Sequence, residues 1–400
     1  MAYKFTGNFT QQESIPDAGI EAALAVLKHG RLHRYNVVEG EIAETSLLET
    51  EYAAYTGSKY CLAVASGGYA LAAGLRAAGM AAGDKVMTNA FTLAPVPGAI
   101  ANAGGVPIFV EVTEDLVMDL DDLHKKIDES GAKFLMLSHM RGHIVDMDAL
   151  MAICNTANVI VIEDCAHTMG ANWNGTPSGR HGLIGCYSTQ TFKHINSGEG
   201  GLLITDDAEV MARATMLSGS YMLYGAHAAG APAEAFADVR LDTPNCSGRM
   251  DNLRAAILRP QLAQLDEQGK RWNERYARME EGLQSVAGLR LIPRPKEEYF
   301  VASSFQFTLP DWDAAKVHDV QQRCANRGVE LKWFGADKPV GFTSRHDSWR
   351  YVEAHELPQT DRVLSGLMDM RLPLTFSLED CDTLAAIIRE EVGAVYQAAA

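Results

Sequence analysis

The sequence predicts an α/β protein, with a large part on a mainly parallel sheet and a smaller C-terminal α/β part. Three observations carry this. Short apolar runs alternate with helical stretches from about residue 59 to residue 206, the order expected when helices cover both faces of a parallel sheet. Several runs close on polar residues, among them Val159-Ile160-Val161-Ile162-Glu163-Asp164, and such sheets carry functional groups at the carboxyl ends of their strands. The pattern then changes after a long helix that the segment Asn245–Ala256 opens. We therefore expect residues 1–265 to form an N-terminal segment plus the large domain, and residues 266–400 the helix continuation and the small domain.

In chain order, Pro16 to His29 carries apolar positions at helical spacing, and Leu47 to Gly57 reads as a second helix. Between them, Gly30-Arg31-Leu32-His33-Arg34-Tyr35-Asn36 is a basic, aromatic loop. Lys59–Ala65 is strand-like, and Ser66-Gly67-Gly68 opens the helix Tyr69–Met80. A strand, a glycine turn and a helix N-terminus make an anion cradle, because unpaired N–H groups and the helix dipole point at it. Lys85–Phe91 and Val106–Val112 read as strands around a short helix, Val96–Ala103. Phe134–Ser138 is a strand that leads through His139 and Arg141 to a helix capped by Asp146. Gly200–Thr205 is a further strand, and Ser218–Asp242 shows no period, as functional or mobile segments often do. The long helix after Arg249 should reach about Leu283 with a bend at Pro260. Ser303–Thr308, Ala314–Arg327, Val329–Lys332 and Leu378–Tyr396 supply the strands and helices of the small domain, with Leu372-Pro373-Leu374 before its last helix.

Composition bounds the partners. A 400-residue chain that is 47% hydrophobic can bury a large core. A net charge of −16 argues against nucleic acid and anionic membranes. No run approaches the ~18 apolar residues of a membrane span, and the N-terminus lacks a signal-peptide pattern, so a cytoplasmic location is expected. Seven cysteines, an odd number with no C-x-x-C pair, read as free thiols in a reducing compartment, and no metal site is expected.

The chemistry concentrates where Asp164 and His167 follow one strand, and Ser188 precedes Lys193 by five residues before a glycine-rich turn. A lysine near glycines is by itself an ordinary loop residue, and an Asp at a strand end is often a helix cap. Together, an acid, a hydroxyl donor and a lysine are the parts that hold pyridoxal 5′-phosphate: the lysine forms the Schiff base and the acid faces the pyridinium nitrogen.

The segments EDCAHTMGANWNG, GCYSTQTFKHINSGEGG and SGGYAL resemble the DegT/StrS family of pyridoxal-phosphate sugar aminotransferases. The resemblance implies the fold type I architecture, Lys193 and Asp164 as catalytic residues, and Gly67, Gly68, His167 and Ser188 around the cofactor. The family's threonine after Ser-Gly is Gly68 here, so backbone N–H groups must carry more of the phosphate. Its ring-stacking aromatic aligns with Leu93; either that aliphatic side chain covers the ring or Phe91 takes over. The asparagine that reaches the partner subunit's cofactor aligns with Ser247, while Asn245 lies two residues earlier. The resemblance also implies a homodimer with shared sites, a small-molecule amino donor and a keto acceptor. Glutamate or glutamine would give its amino group to an oxo-sugar or oxo-cyclitol, with Arg31, Arg34, Tyr35, His139, Arg141, Tyr221 and Tyr224 as residues that could face the acceptor. Competing readings are deoxysugar dehydration, transamination of a non-sugar ketone, and a non-catalytic sensor. Family dehydratases replace the lysine by histidine, whereas Lys193 keeps its register, and a sensor would need a damaged lysine or acid.

Overall fold

The computed structural model describes residues 3–399 apart from Met222, Phe342 and Ala354. Strands are numbered in chain order. The larger sheet contains β1 (Tyr60–Val64), β2 (Lys85–Asn89), β3 (Val106–Val110), β4 (Phe134–Ser138), β5 (Ile160–Asp164), β8 (Ile184–Ser188) and β9 (Gly201–Thr205). Their order is β1-β9-β8-β5-β4-β2-β3. The pairs from β3 through to β8 are parallel, and only β9 runs antiparallel to its neighbours β1 and β8. β4, β8 and β9 are buried along their whole length, which is why they read as unbroken apolar runs rather than alternating ones. Ser138, Asp164 and Ser188 end three adjacent strands on one edge of this sheet.

A three-stranded sheet joins β6 (Asn172–Trp173) and β7 (Thr176–Pro177) to β11 (Glu298–Tyr299). The second core lies around an antiparallel sheet of β10 (Arg290–Leu291), β12 (Ser304–Thr308), β14 (Leu367–Arg371) and β13 (Lys332–Trp333), in that order. The helices Ala314–Asn326 and Leu378–Ala399 supply apolar residues to it, including Val317, Val320, Ile388 and Val392. Phe5 and Phe9, from the start of the chain, pack into this same core, each edge-on to Phe376. Among the described residues no helix is long and apolar enough to cross a membrane.

Most elements lie where the spacing places them, with three instructive differences. The long helix does not bend at Pro260; it divides into Asn252–Leu262 and Leu265–Leu283, with Pro260 still inside the first piece. The Ala263 and Gln264 N–H groups close that piece on Arg259 and Gln261, so the break falls one turn after the residue that weakens the ladder. The strand expected at Val329–Lys332 is shifted to Lys332–Trp333, because the Val329 N–H closes the preceding helix on the Cys324 carbonyl. The helices Leu120–Ser130, Ala208–Leu217 and Pro358–Ser365, and β14 itself, went unread. The stretch 218–242 is held by short helical turns, with Tyr224 stacked on Phe236 at 4.2 Å and Phe236 and Val239 packed on Ala212 and Met216.

Candidate active site

The helix Gly67–Ala77 starts directly after Ser66, whose hydroxyl caps it by accepting from the Tyr69 N–H at 3.1 Å. Gly67 is required by packing: a Cβ there would lie 2.8 Å from the Cβ of Ser188. The helix N-terminus thus meets the end of β8 with no intervening side chain, and its unpaired N–H groups face the same space as the Ser188 hydroxyl. This space is a cavity of about 420 Å³ lined by Gly67, Gly68, Leu93, Asp164, His167, Ser188 and Lys193. Seven of the eight site residues named from the sequence therefore share one cavity, although they come from four separate stretches of chain.

Asp164 is oriented by a relay that the sequence did not disclose. Its Oδ2 accepts from the Ser138 hydroxyl at 2.9 Å, which in turn accepts from Thr92 Oγ1 at 2.9 Å. Asn89 holds the Ser138 backbone in place, accepting from its N–H at 2.9 Å and donating to its carbonyl at 2.7 Å. The Ala166 N–H donates to Asp164 Oδ1 at 3.1 Å. The carboxylate is 5% exposed, and its remaining acceptor capacity lies on the cavity side.

Lys193 Nζ lies 2.9 Å from His167 Nε2. Desolvation in the cavity wall lowers the lysine to about 8; Asp164 opposes that shift, and Arg141 and Arg371 add to it. Burial, then the charges of Lys193 and Arg141, hold His167 well below its usual value, so its imidazole is neutral. The Arg141 N–H approaches His167 Nδ1 at 3.4 Å; with Nδ1 accepting, Nε2–H faces the lone pair of an unprotonated Lys193.

The structure distinguishes Leu93 from Phe91. Leu93 lines the cavity, whereas Phe91 is 1% exposed in an interior cluster, edge-on to Phe334 at 5.1 Å. Ser247 does not reach this cavity within the chain; it is exposed and accepts from Arg249 Nη2 at 2.9 Å. Of the residues named as possible acceptor contacts, Arg141 alone lines the cavity. Arg34 is buried in a two-bond pair with Glu49, both at 2.8 Å, because a guanidinium at that depth needs a counter-charge. Arg31 pairs with Glu41, Tyr35 bonds to Ser220 and to His227, and Tyr224 is stacked on Phe236. His139 pairs with Glu163 at 3.1 Å. His139, Glu163 and Cys165 lie close enough to hold an ion, but the Glu163 carboxylate already receives the N–H groups of Gly179, His181 and Gly182 besides His139. Sequence reasoning missed Ser138, Phe192, Trp272 and Arg371 on the cavity wall. Arg371 stood immediately before the Leu372-Pro373-Leu374 run and could have been found there.

A model of the DegT/DnrJ/EryC1/StrS aminotransferase family matches residues 16–389. The chain is 31% identical, over 78% of its length and 77% of the relative's, to a Micromonospora echinospora protein proposed to be an L-glutamine:3-amino-2,3-dideoxy-scyllo-inosose aminotransferase. It is 31% identical, over 66% of its length and 69% of the relative's, to a pleiotropic regulatory protein of Geobacillus stearothermophilus. The crystal structure of an aminotransferase from Streptoalloteichus hindustanus superposes with a TM-score of 0.81 at 23% identity, covering 96% of this chain and 98% of the other.

Proposed function

The chain belongs to the DegT/DnrJ/EryC1/StrS aminotransferase family, and from that premise we propose that it binds pyridoxal 5′-phosphate and moves the amino group of glutamine or glutamate to an oxo-cyclitol or oxo-sugar. The observation that carries this is the convergence of a low-pKa lysine, an oriented carboxylate and a helix-terminal anion cradle in one cavity. The groups present suit the cofactor. The turn at Gly67 and Gly68 with Ser188 offers N–H and hydroxyl donors to a phosphate, Asp164 offers carboxylate acceptors to the ring nitrogen, and Leu93 an apolar face to the ring.

When bound, the cofactor supplies an electron sink for the pair left on the substrate carbon after deprotonation. The chain's own residues do the rest. Lys193 would hold the cofactor through Nζ and, when free, would carry protons, for which a value near 8 suits work at neutral pH. Asp164, braced by Ser138, would accept from the protonated ring nitrogen, and neutral His167 keeps the lysine in line. A homodimer with shared sites, Ser247 or Asn245 reaching the partner's cofactor, is part of this proposal. It is supported by the exposed apolar side chains Ile20, Leu24, Leu27, Val38 and Ile42, which gather near the chain's start.

A regulatory role is the second reading, favoured by the name of the Geobacillus relative; Lys193 and Asp164 stand against it, because a sensor has no use for a tuned amine. The experiment starts with the cofactor-loaded protein. It should absorb in the visible, and borohydride should fix the cofactor to Lys193. The amine-loaded form should react faster with oxo-cyclitols or oxo-sugars than with pyruvate. A tenfold preference for pyruvate or a hydrophobic ketone overturns the acceptor class, and a protein that takes up no cofactor overturns the whole reading.

A further inference from the structure

Two arginines line the Lys193 cavity from opposite parts of the fold: Arg141 from the turn after β4, and Arg371 from the end of β14. Each is set in place by a contact between those parts. Arg141, 9% exposed, lies 2.8 Å from Asp369 on β14, which is fully buried. The other oxygen of Asp369 accepts from Gln306 Nε2 at 2.8 Å, so the carboxylate is anchored on its own sheet. Arg141 sits at a φ of +56°, where an arginine is strained, and the surrounding contacts hold it there. The Arg371 guanidinium lies 3.7 Å above the centroid of Phe192, the residue next to Lys193. Stacking engages the face of a guanidinium and carboxylate binding engages its edge, so the two are compatible in one arginine.

Lys332 adds a third cation, 3.9 Å from Asp369. Asp369 is the buried carboxylate among these three charges, and Glu330 acts on them only from an exposed position. After burial, and against the pull of the nearby carboxylates, Arg141 and Arg371 help to lower Lys193 and Lys332 to about 8 each. An anion in this cavity would meet both guanidiniums, which line it with Lys193. An α-amino acid brings one of necessity, because its carboxylate and the amino group it gives up share one carbon. Arg31 and Arg34 do not compete for that carboxylate, since Arg31 pairs with Glu41 and Arg34 with Glu49.

We propose that Arg371, seated on the Phe192 ring, and Arg141, braced by Asp369, form the subsite for the α-carboxylate of the amino donor. This rests on the reading of Lys193 as the cofactor-bearing lysine. The subsite commits the first half-reaction to α-amino acids, whereas a neutral polyol ketone in the second half-reaction makes no such demand. One cavity can thus serve two dissimilar substrates in turn, with the arginine pair engaged by the donor alone.

The test uses cofactor-loaded wild type, Arg371→Gln, Arg371→Lys and Asp369→Asn. Borohydride fixation, mapped to Lys193, is run first on each. A wild type that cannot be fixed overturns the Lys193 reading, and this inference with it. The donor arm compares glutamine with 4-aminobutanamide, which is glutamine without its α-carboxylate. Wild type should favour glutamine by about 30-fold or more in kcat/KM, the worth of a charged hydrogen-bonded pair. Arg371→Gln should cut the preference to about threefold or less, with Arg371→Lys and Asp369→Asn in between. Calorimetry with glutaramate, which is glutamine without its amino group, gives a readout apart from turnover: it should bind wild type at least about tenfold more tightly than Arg371→Gln. If Arg371→Gln cannot be folded, Arg371→Lys serves in both arms, with an expected loss of about threefold. Fixation at Lys193 combined with an unchanged glutamine preference and unchanged glutaramate binding overturns the subsite while leaving the aminotransferase reading intact.

Discussion

Glu163 and Asp164 are neighbours on β5, yet they belong to different regions of the molecule. Side chains alternate across a strand, so the two carboxylates point to opposite faces of the sheet. Two consecutive residues at the end of β4 repeat the pattern: Ser138, its last residue and the one opposite Asp164, bonds to Asp164, and His139, the next, to Glu163. On one face, Glu163 is 0% exposed and spends its lone pairs on the N–H groups of the turn at 179–182. On the other, Asp164 makes its two bonds to Ser138 and Ala166 and presents the rest of its capacity to the cavity. The difference teaches that a buried carboxylate is a structural clamp when backbone donors saturate it, and a chemical group when it keeps capacity on a cavity.

The comparison can be broken or sharpened by substitution, beginning on the cavity face. Lys193→Ala should lower turnover by about 10⁴-fold, measured by rapid mixing with glutamine, while the circular dichroism spectrum stays that of wild type. Asp164→Asn should lower kcat by roughly 10²- to 10³-fold, because removing one partner of a buried pair costs about 3–5 kcal/mol. Its urea midpoint should move little. Glu163→Gln should do the reverse. It should cost about 2–3 kcal/mol in urea unfolding, since an amide NH₂ would face backbone donors, with kcat changed by less than about threefold. If Glu163→Gln loses turnover and keeps its stability, the two faces are not separate in function.

Smaller effects follow from the tuning around the cavity. Only an unprotonated amine captures an aldehyde, and Lys193 is lowered to about 8 by desolvation, with Asp164 opposing and Arg141 and Arg371 assisting. Cofactor capture by the apo-protein should therefore accelerate as pH rises through about 8 and level off above it; a rate still climbing at pH 10 would mean that the lysine is not tuned. Leu93→Phe should tighten cofactor binding by at most about 0.5–1.5 kcal/mol, the worth of an aromatic contact, read from equilibrium dialysis.

Much of this was legible in the chain because it is local. A glycine turn between a strand and a helix, an acid closing an apolar run, and a serine five residues before a lysine are short-range patterns. A parallel sheet brings the carboxyl ends of its strands to one edge whatever the loops do. On that basis Asp164, His167, Ser188 and Lys193 are expected in one crevice, the family resemblance adds Gly67 and Gly68, and all six line one cavity. What the tertiary structure alone decided rests on contacts between distant residues. Leu93 rather than Phe91 faces the cavity because Phe91 finds Phe334 in the interior. Arg34 is spent on Glu49, and Arg141 is held at the site by Asp369, although nothing in their immediate neighbours tells the two arginines apart. Arg371, at the end of β14, comes to lie on Phe192, in the turn after β8 and 179 positions earlier by their numbering. The reason is physical: local sequence sets the direction of a strand and the cap of a helix, but a buried charge takes whichever partner the packed chain brings within reach.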